Sequence, residues 1–176
     1  MTQPGVDFGH TTIYPFIAEK AYPLSKAILA DEGLTFEAHS TDYQSTESLA
    51  DLVKNHFFFL KVGPELTFRF REAVWALAQI EETLDFDQPS NIRDIFAKRM
   101  VENPEFWQDY YSGSAHELSI LRTYSYSDRI RYYWPDRQIV LALERLLENL
   151  SMDTAPKTVV SQAFICLLYK SPSPRD

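Results

Sequence analysis

The stretch Leu34 to Arg71, LTFEAHSTDYQSTESLADLVKNHFFFLKVGPELTFRFR, decides the fold. Leu34 to Ala38 has strand composition. Thr46 to Asn55 has helical spacing, with Leu49, Leu52 and Val53 on one face and Ser45 as its N-cap. Phe57 to Val62 is an apolar run of strand length, expected as a parallel strand covered on both faces. Gly63 and Pro64 end it. Proline favours a helix first turn, and Phe70, Ala73, Val74, Leu77 and Leu84 keep helical spacing, which predicts a helix from Pro64 to about Leu84. Polar residues follow each strand at once: Glu37, His39 and Asp42 after the first, Lys61, Gly63 and Glu65 after the second. In parallel α/β folds that sheet edge is where ligands bind.

Working outward, Thr2 to His10 reads as the end of a strand entering a loop, and this abrupt start predicts a chain that begins inside a domain. Ala18 to Asp31 is helix-like, with Pro23 moving the expected start toward Tyr22 and Gly33 as its stop. Three strand–helix units in series predict an α/β fold over residues 1–84, either part of a (β/α)8 barrel or a doubly wound sheet. Residues 85–165 read as a helical region. Its expected helices are Ile92 to Glu102, a piece opened by Pro104 and carrying Phe106, Trp107, Tyr110 and Tyr111, short helices at Glu117 to Thr123 and Ser127 to Trp134, and a clearer one from Pro135 to Leu150. Cys166 to Asp176, CLLYKSPSPRD, resembles the translation of a sequencing adapter, usually CLLYTSPSPRD, so residues 166–176 are expected to be a non-native tail.

Composition narrows the function classes. A net charge of -8 argues against a general nucleic-acid or anionic-membrane binder, since either requires a basic surface. No apolar run reaches the roughly 20 residues of a membrane span, and MTQPGVDFGH lacks the features of a signal peptide, so a cytoplasmic protein is expected. One cysteine, Cys166, leaves no intramolecular disulfide and no multi-cysteine zinc site.

The chemistry-bearing candidates lie at the expected sheet edge. Strand alternation puts Thr35, Glu37 and His39 on one side, and by the same parity Lys61 points inward from the next strand. A carboxylate, an imidazole and an ammonium would then share a small space. Lys61 with the Gly63 amide at a helix N-terminus suits a sugar phosphate, and His39 suits a divalent metal. An equally weighted alternative is a structural Glu37–Lys61 ion pair with His39 as a loop residue. His10 and His39 could hold a zinc ion, although two histidines are fewer than the three protein ligands usual at catalytic zinc. His56 and His116 read as surface residues. Ser127, Asp128, Arg129 and Arg131, in YSYSDRIRYYWP, suit a phosphate or a partner subunit, or else a capped helix with exposed arginines. No P-loop, GxGxxG, HExxH or GxSxG motif occurs.

The blocks PGVDFGH, FEAHSTDYQ, LKVGPELTFRFREAVWALAQIE and YSDRIRYYWP, in this order, resemble the non-catalytic subunit family of class II D-tagatose-1,6-bisphosphate aldolase, also labelled tagatose-6-phosphate kinase. The resemblance runs from about Thr2 to Gln162. It implies the closing units of a (β/α)8 TIM-type barrel followed by a C-terminal helical extension, with an N-terminal portion carrying a GGDHLGP-like block absent here. It also implies a catalytic aldolase subunit as partner, with catalytic zinc in that subunit, and a role supporting its activity and stability in galactitol or N-acetylgalactosamine breakdown. The complex would cleave tagatose-1,6-bisphosphate to glycerone phosphate and glyceraldehyde-3-phosphate. A kinase is not expected, because nothing resembles a nucleotide-binding loop. The alternative is an enzyme acting by itself, such as a metal-dependent ketohexose-phosphate C4 epimerase, through His10, Glu37, His39 and Lys61.

Overall fold

In the computed structural model, residues 3–31, 33–152 and 155–164 are described, and they form a mixed α/β fold dominated by helix. The expected adapter-like tail, residues 166–176, lies outside them. Packing divides the chain into two compact units, Met1–Phe68 with Tyr124–Asp128, and Arg69–Thr123 with Arg129–Asp176. The boundary between these packing units falls inside the long helix, whose first turn is bonded to loops of the first unit while Val74 and Ala78 belong to the core of the second.

The first unit contains β1 (Asp7–Phe8), β2 (Ile13–Tyr14), α1 (Ala18–Ile28), β3 (Phe36–Ala38), α2 (Thr46–Lys54) and β4 (Phe57–Leu60). β3 and β4 pair in parallel with α2 as the crossover, the arrangement read from the sequence. Ser45 caps α2 by accepting from the Ser48 amide at 3.2 Å. Val6, Phe16, Ala21, Ala38, Leu52 and Phe57 form the core.

Three expectations are corrected here. β1 does not join β3 in a parallel sheet. It turns back on itself and pairs antiparallel with β2, because the Gly9 amide closes a tight turn onto Thr12 O at 2.8 Å and the Phe8 amide is taken by the Asp7 side chain at 2.9 Å. β4 is not covered on both faces: Phe58 is 56% and Phe59 62% exposed, and among the described residues β4 has a strand on one edge only. α1 starts at Ala18 rather than near Tyr22, carrying Pro23 inside it. Pro23 has no amide to donate, so it removes one hydrogen bond to the preceding turn.

The second unit takes most of α3 (Glu65–Leu84), then α4 (Ile92–Glu102), a 3-10 turn at Pro104–Phe106, α5 (Ala115–Tyr124), a 3-10 turn at Arg129–Tyr133, α6 (Arg137–Met152) and α7 (Lys157–Ala163). Ile92, Phe96 and Met100 of α4 and Ile139, Ala142 and Leu146 of α6 recur at helical spacing and meet Val74 and Ala78 of α3 in one core. Two expected helices are shorter than read. The piece opened by Pro104 stops after one 3-10 turn, and Ser127 to Trp134 contains only Arg129–Tyr133 as a 3-10 turn, since Ser125 to Asp128 follows a different path. α7 has no counterpart in the sequence reading.

A carboxyl group holds this unit together. Glu81, 2% exposed, accepts from the Ser90 amide at 2.9 Å, the Ser90 hydroxyl at 2.5 Å and Asn149 Nδ2 at 2.6 Å. It thereby ties α3 to the entry of α4 and to α6. Buried polar atoms need such partners, and here both carboxyl oxygens have them.

Candidate functional site

The carboxyl ends of β3 and β4 are laced together by their own loops. Lys61 N donates to Ala38 O at 2.9 Å, and Thr41 returns two bonds to Lys61 O, from its amide at 3.3 Å and its hydroxyl at 3.0 Å. Next in the chain, Asp42, 1% exposed, accepts through Oδ1 from the amides of Gly63 at 2.8 Å and Glu65 at 2.9 Å. Its carboxyl group thus caps α3. Glu65 reciprocates, accepting from the Tyr43 amide through Oε2 at 2.6 Å. This cross-chain exchange satisfies amides that a helix start leaves unpaired, and it holds Tyr43 in the left-handed region at φ 63°.

Tyr43 is the hub of an aromatic cluster. Its ring lies 5.3 Å from Phe8, 5.3 Å from Phe68 and 4.7 Å from Tyr126, and its hydroxyl donates to Tyr126 O at 2.6 Å. The segment Tyr124–Asp128 therefore belongs to this edge although it is far away in sequence. Tyr126 N donates to His10 O at 2.9 Å, and His10 Nδ1 meets Ser127 Oγ at 3.1 Å. Asp128, buried and also left-handed at φ 46°, accepts from the Thr67 hydroxyl at 2.7 Å.

The candidates read from the sequence distribute as follows. Glu37 and His39 are on one side of β3 and meet at 2.5 Å, His39 Nε2–H donating to Glu37 Oε1. Among the described residues Glu37 pairs with His39 rather than with Lys61, which is exposed at the end of β4. The Gly63 amide, expected to face a phosphate, donates to Asp42 instead. His10 is bonded to Ser127 rather than to His39. Among the described residues, no group of three or more His, Cys, Asp or Glu could hold a metal ion. His116 is exposed as read, whereas His56 is half-buried at φ 70° with its carbonyl accepting from Phe36 N.

Arg129 and Arg131 belong to the second unit. The Arg129 guanidinium lies 3.2 Å from the Tyr110 ring centroid and donates through Nε to Phe106 O, so it packs rather than standing free in solvent. Arg131 donates to the Tyr132 hydroxyl at 2.8 Å. The residues that sequence reasoning missed are Tyr43, Thr67 and Tyr126, whose partners are far away in sequence and leave no local pattern.

A parallel strand pair joined by a helix, with acidic, imidazole and ammonium groups on the loops at its carboxyl edge, defines a βα-unit protein with its polar cluster where such folds place ligands. The family model of the D-tagatose-1,6-bisphosphate aldolase subunit GatZ/KbaZ-like matches residues 1–172, and the chain belongs to that family. It is similar to the crystal structure of a probable tagatose 6 phosphate kinase from Sinorhizobium meliloti 1021, with 38% sequence identity and a TM-score of 0.88 over 98% of this chain. The match covers 46% of that protein, so the chain spans about half its length.

Proposed function

We propose that the chain is part of an accessory subunit of a class II D-tagatose-1,6-bisphosphate aldolase, binding the catalytic subunit and raising its activity and stability in cytoplasmic galactitol or N-acetylgalactosamine breakdown. The observation that carries this reading is the family match over residues 1–172, whose description is that of an aldolase subunit. The arrangement at the sheet edge agrees with a supporting role. The amide best placed for a substrate phosphate is bonded to Asp42, and that carboxylate fills the favourable end of the α3 dipole.

In the same proposal β3 and β4 are neighbouring strands of a (β/α)8 barrel. Their parallel pairing through α2 and the exposed Phe58 and Phe59 beside an open edge favour it, because such strands are normally covered on both faces. Measuring aldolase activity and thermal inactivation of the catalytic subunit, with and without the full protein, tests the function. Both should improve on addition; an aldolase indifferent to the protein would refute the accessory role.

A second reading, a metal-dependent C4 epimerase or aldolase-like enzyme acting on ketohexose phosphates by itself, draws on the Glu37–His39 pair beside the exposed Lys61. Turnover of tagatose-6-phosphate by the protein alone, abolished in His39→Ala, would favour it over the accessory role.

A further inference from the structure

β3 and β4 do not pair residue for residue. Phe36 stands opposite Phe57, but Glu37 stands opposite Phe59 and Ala38 opposite Leu60, so Phe58 is the extra residue of a β-bulge. The slip decides which residues share a face. Phe57 and Ala38 are buried in the core of the first unit, and Phe36 and Leu60 pack against the same core. An unbroken ladder would set Phe59 and Lys61, two and four residues beyond Phe57, on that core face as well. The bulge turns both over.

Phe59 and Lys61 therefore join Glu37 and His39 on the opposite face, as the corners of a patch about 5 Å across the strands and about 7 Å along them. All four reach solvent: Phe59 is 62% exposed, the Glu37 and His39 side chains are 49% and 23% exposed, and Lys61 is exposed. The corners differ in chemistry. Phe59 offers an apolar ring whose negative face attracts C–H hydrogens, and Lys61 offers a full positive charge. Across from them, Glu37 accepts hydroxyl hydrogens through Oε2, the oxygen that is not bonded to His39. Glu37 lies diagonal to Lys61, so an anion at the Lys61 corner keeps its distance from the carboxylate.

An aromatic ring, a cation and a hydroxyl acceptor on a patch of this size suit a polyhydroxylated anion of about one sugar unit. We propose that this bulge-built face binds a sugar bearing a negative group, a phosphate ester or a carboxylate. Phe59 lies under the carbon skeleton, Glu37 takes hydroxyls and Lys61 takes the charge. This goes beyond the accessory and the enzymatic readings, since a ligand held here is compatible with either.

The test is calorimetric titration of the full protein with D-fructose 6-phosphate, D-glucuronate and uncharged D-fructose. Phe59→Leu removes the ring and keeps apolar bulk, Phe59→Tyr keeps the ring, Lys61→Met removes the charge, and Met152→Ser, 80% exposed in the second unit, is the control. Thermal melts of each variant separate lost folding from lost binding. At least one anionic sugar should bind, at least about tenfold more tightly than fructose, and which of the two binds identifies the source of the charge. Phe59→Leu and Lys61→Met should each weaken that binding at least about fivefold, with Phe59→Tyr and the control within about twofold of the wild type. Binding that a folded Phe59→Leu or Lys61→Met protein leaves within about twofold overturns the proposal, as does a wild type that binds neither anion. Either result leaves the accessory role standing, because that role is read from the response of the aldolase.

Discussion

Asp42 and Glu81 are each buried, and each gathers polar hydrogens from segments distant in the chain. Their replacement should be costly for different reasons. Asp42→Ala removes the cap of α3 and frees the Gly63 and Glu65 amides, so a loss of about 2 kcal/mol is expected, read from urea unfolding monitored in the first unit. Glu81→Ala strands the buried Ser90 amide and removes one of the two bonds that Asn149 Nδ2 makes, the one to Gln88 O remaining. The expected cost is about 3 kcal/mol, with Glu81→Gln intermediate because one oxygen still accepts. A Glu81→Ala melt matching that of the wild type would show that the clamp contributes nothing.

The elements are joined by longer-range charge pairs. Arg99 of α4 donates to Asp136, just before α6, at 2.8 Å, and this guanidinium holds the Asp136 carboxyl below its ordinary 3.8. A carboxyl depressed in the folded state contributes stability that is fully present above its unfolded value. That contribution is lost as pH falls through the folded value, here the window below 3.8. Asp136→Asn should flatten this acid limb of the stability curve and leave the slope above pH 5 unchanged; an unaltered acid limb would contradict the assignment.

At this same scale the sequence was most readable where one helix or strand carries its own pattern. The Ser45 cap, the helix Ile92–Glu102 and the parallel β3–α2–β4 unit are local or nearly so, and they appear as expected. The Glu37–His39 contact follows from strand alternation. By contrast, Asp42 reaches 21 and 23 residues ahead, and Tyr43 reaches across 83 to Tyr126. No periodicity encodes such pairs. The antiparallel β1–β2 turn was missed for another reason: two residues per strand are too few for alternation to register.

For the whole molecule, the exposed Phe58 and Phe59 beside the open edge of β4 leave apolar surface in water. This chain by itself should associate with rising concentration, and Phe59→Lys should reduce that association because charge on an edge opposes strand pairing. Light scattering over a dilution series measures it, and a monomer at all concentrations would contradict the prediction. One further consequence comes from the segment Tyr124–Asp128, which returns to the first unit after the whole of 69–123 has intervened. On the ribosome, the loops around Tyr43 emerge long before Tyr126 exists to meet them. The first unit must therefore wait, half-made, for its last piece, and closing that wide loop is the slow step its folding rate should report.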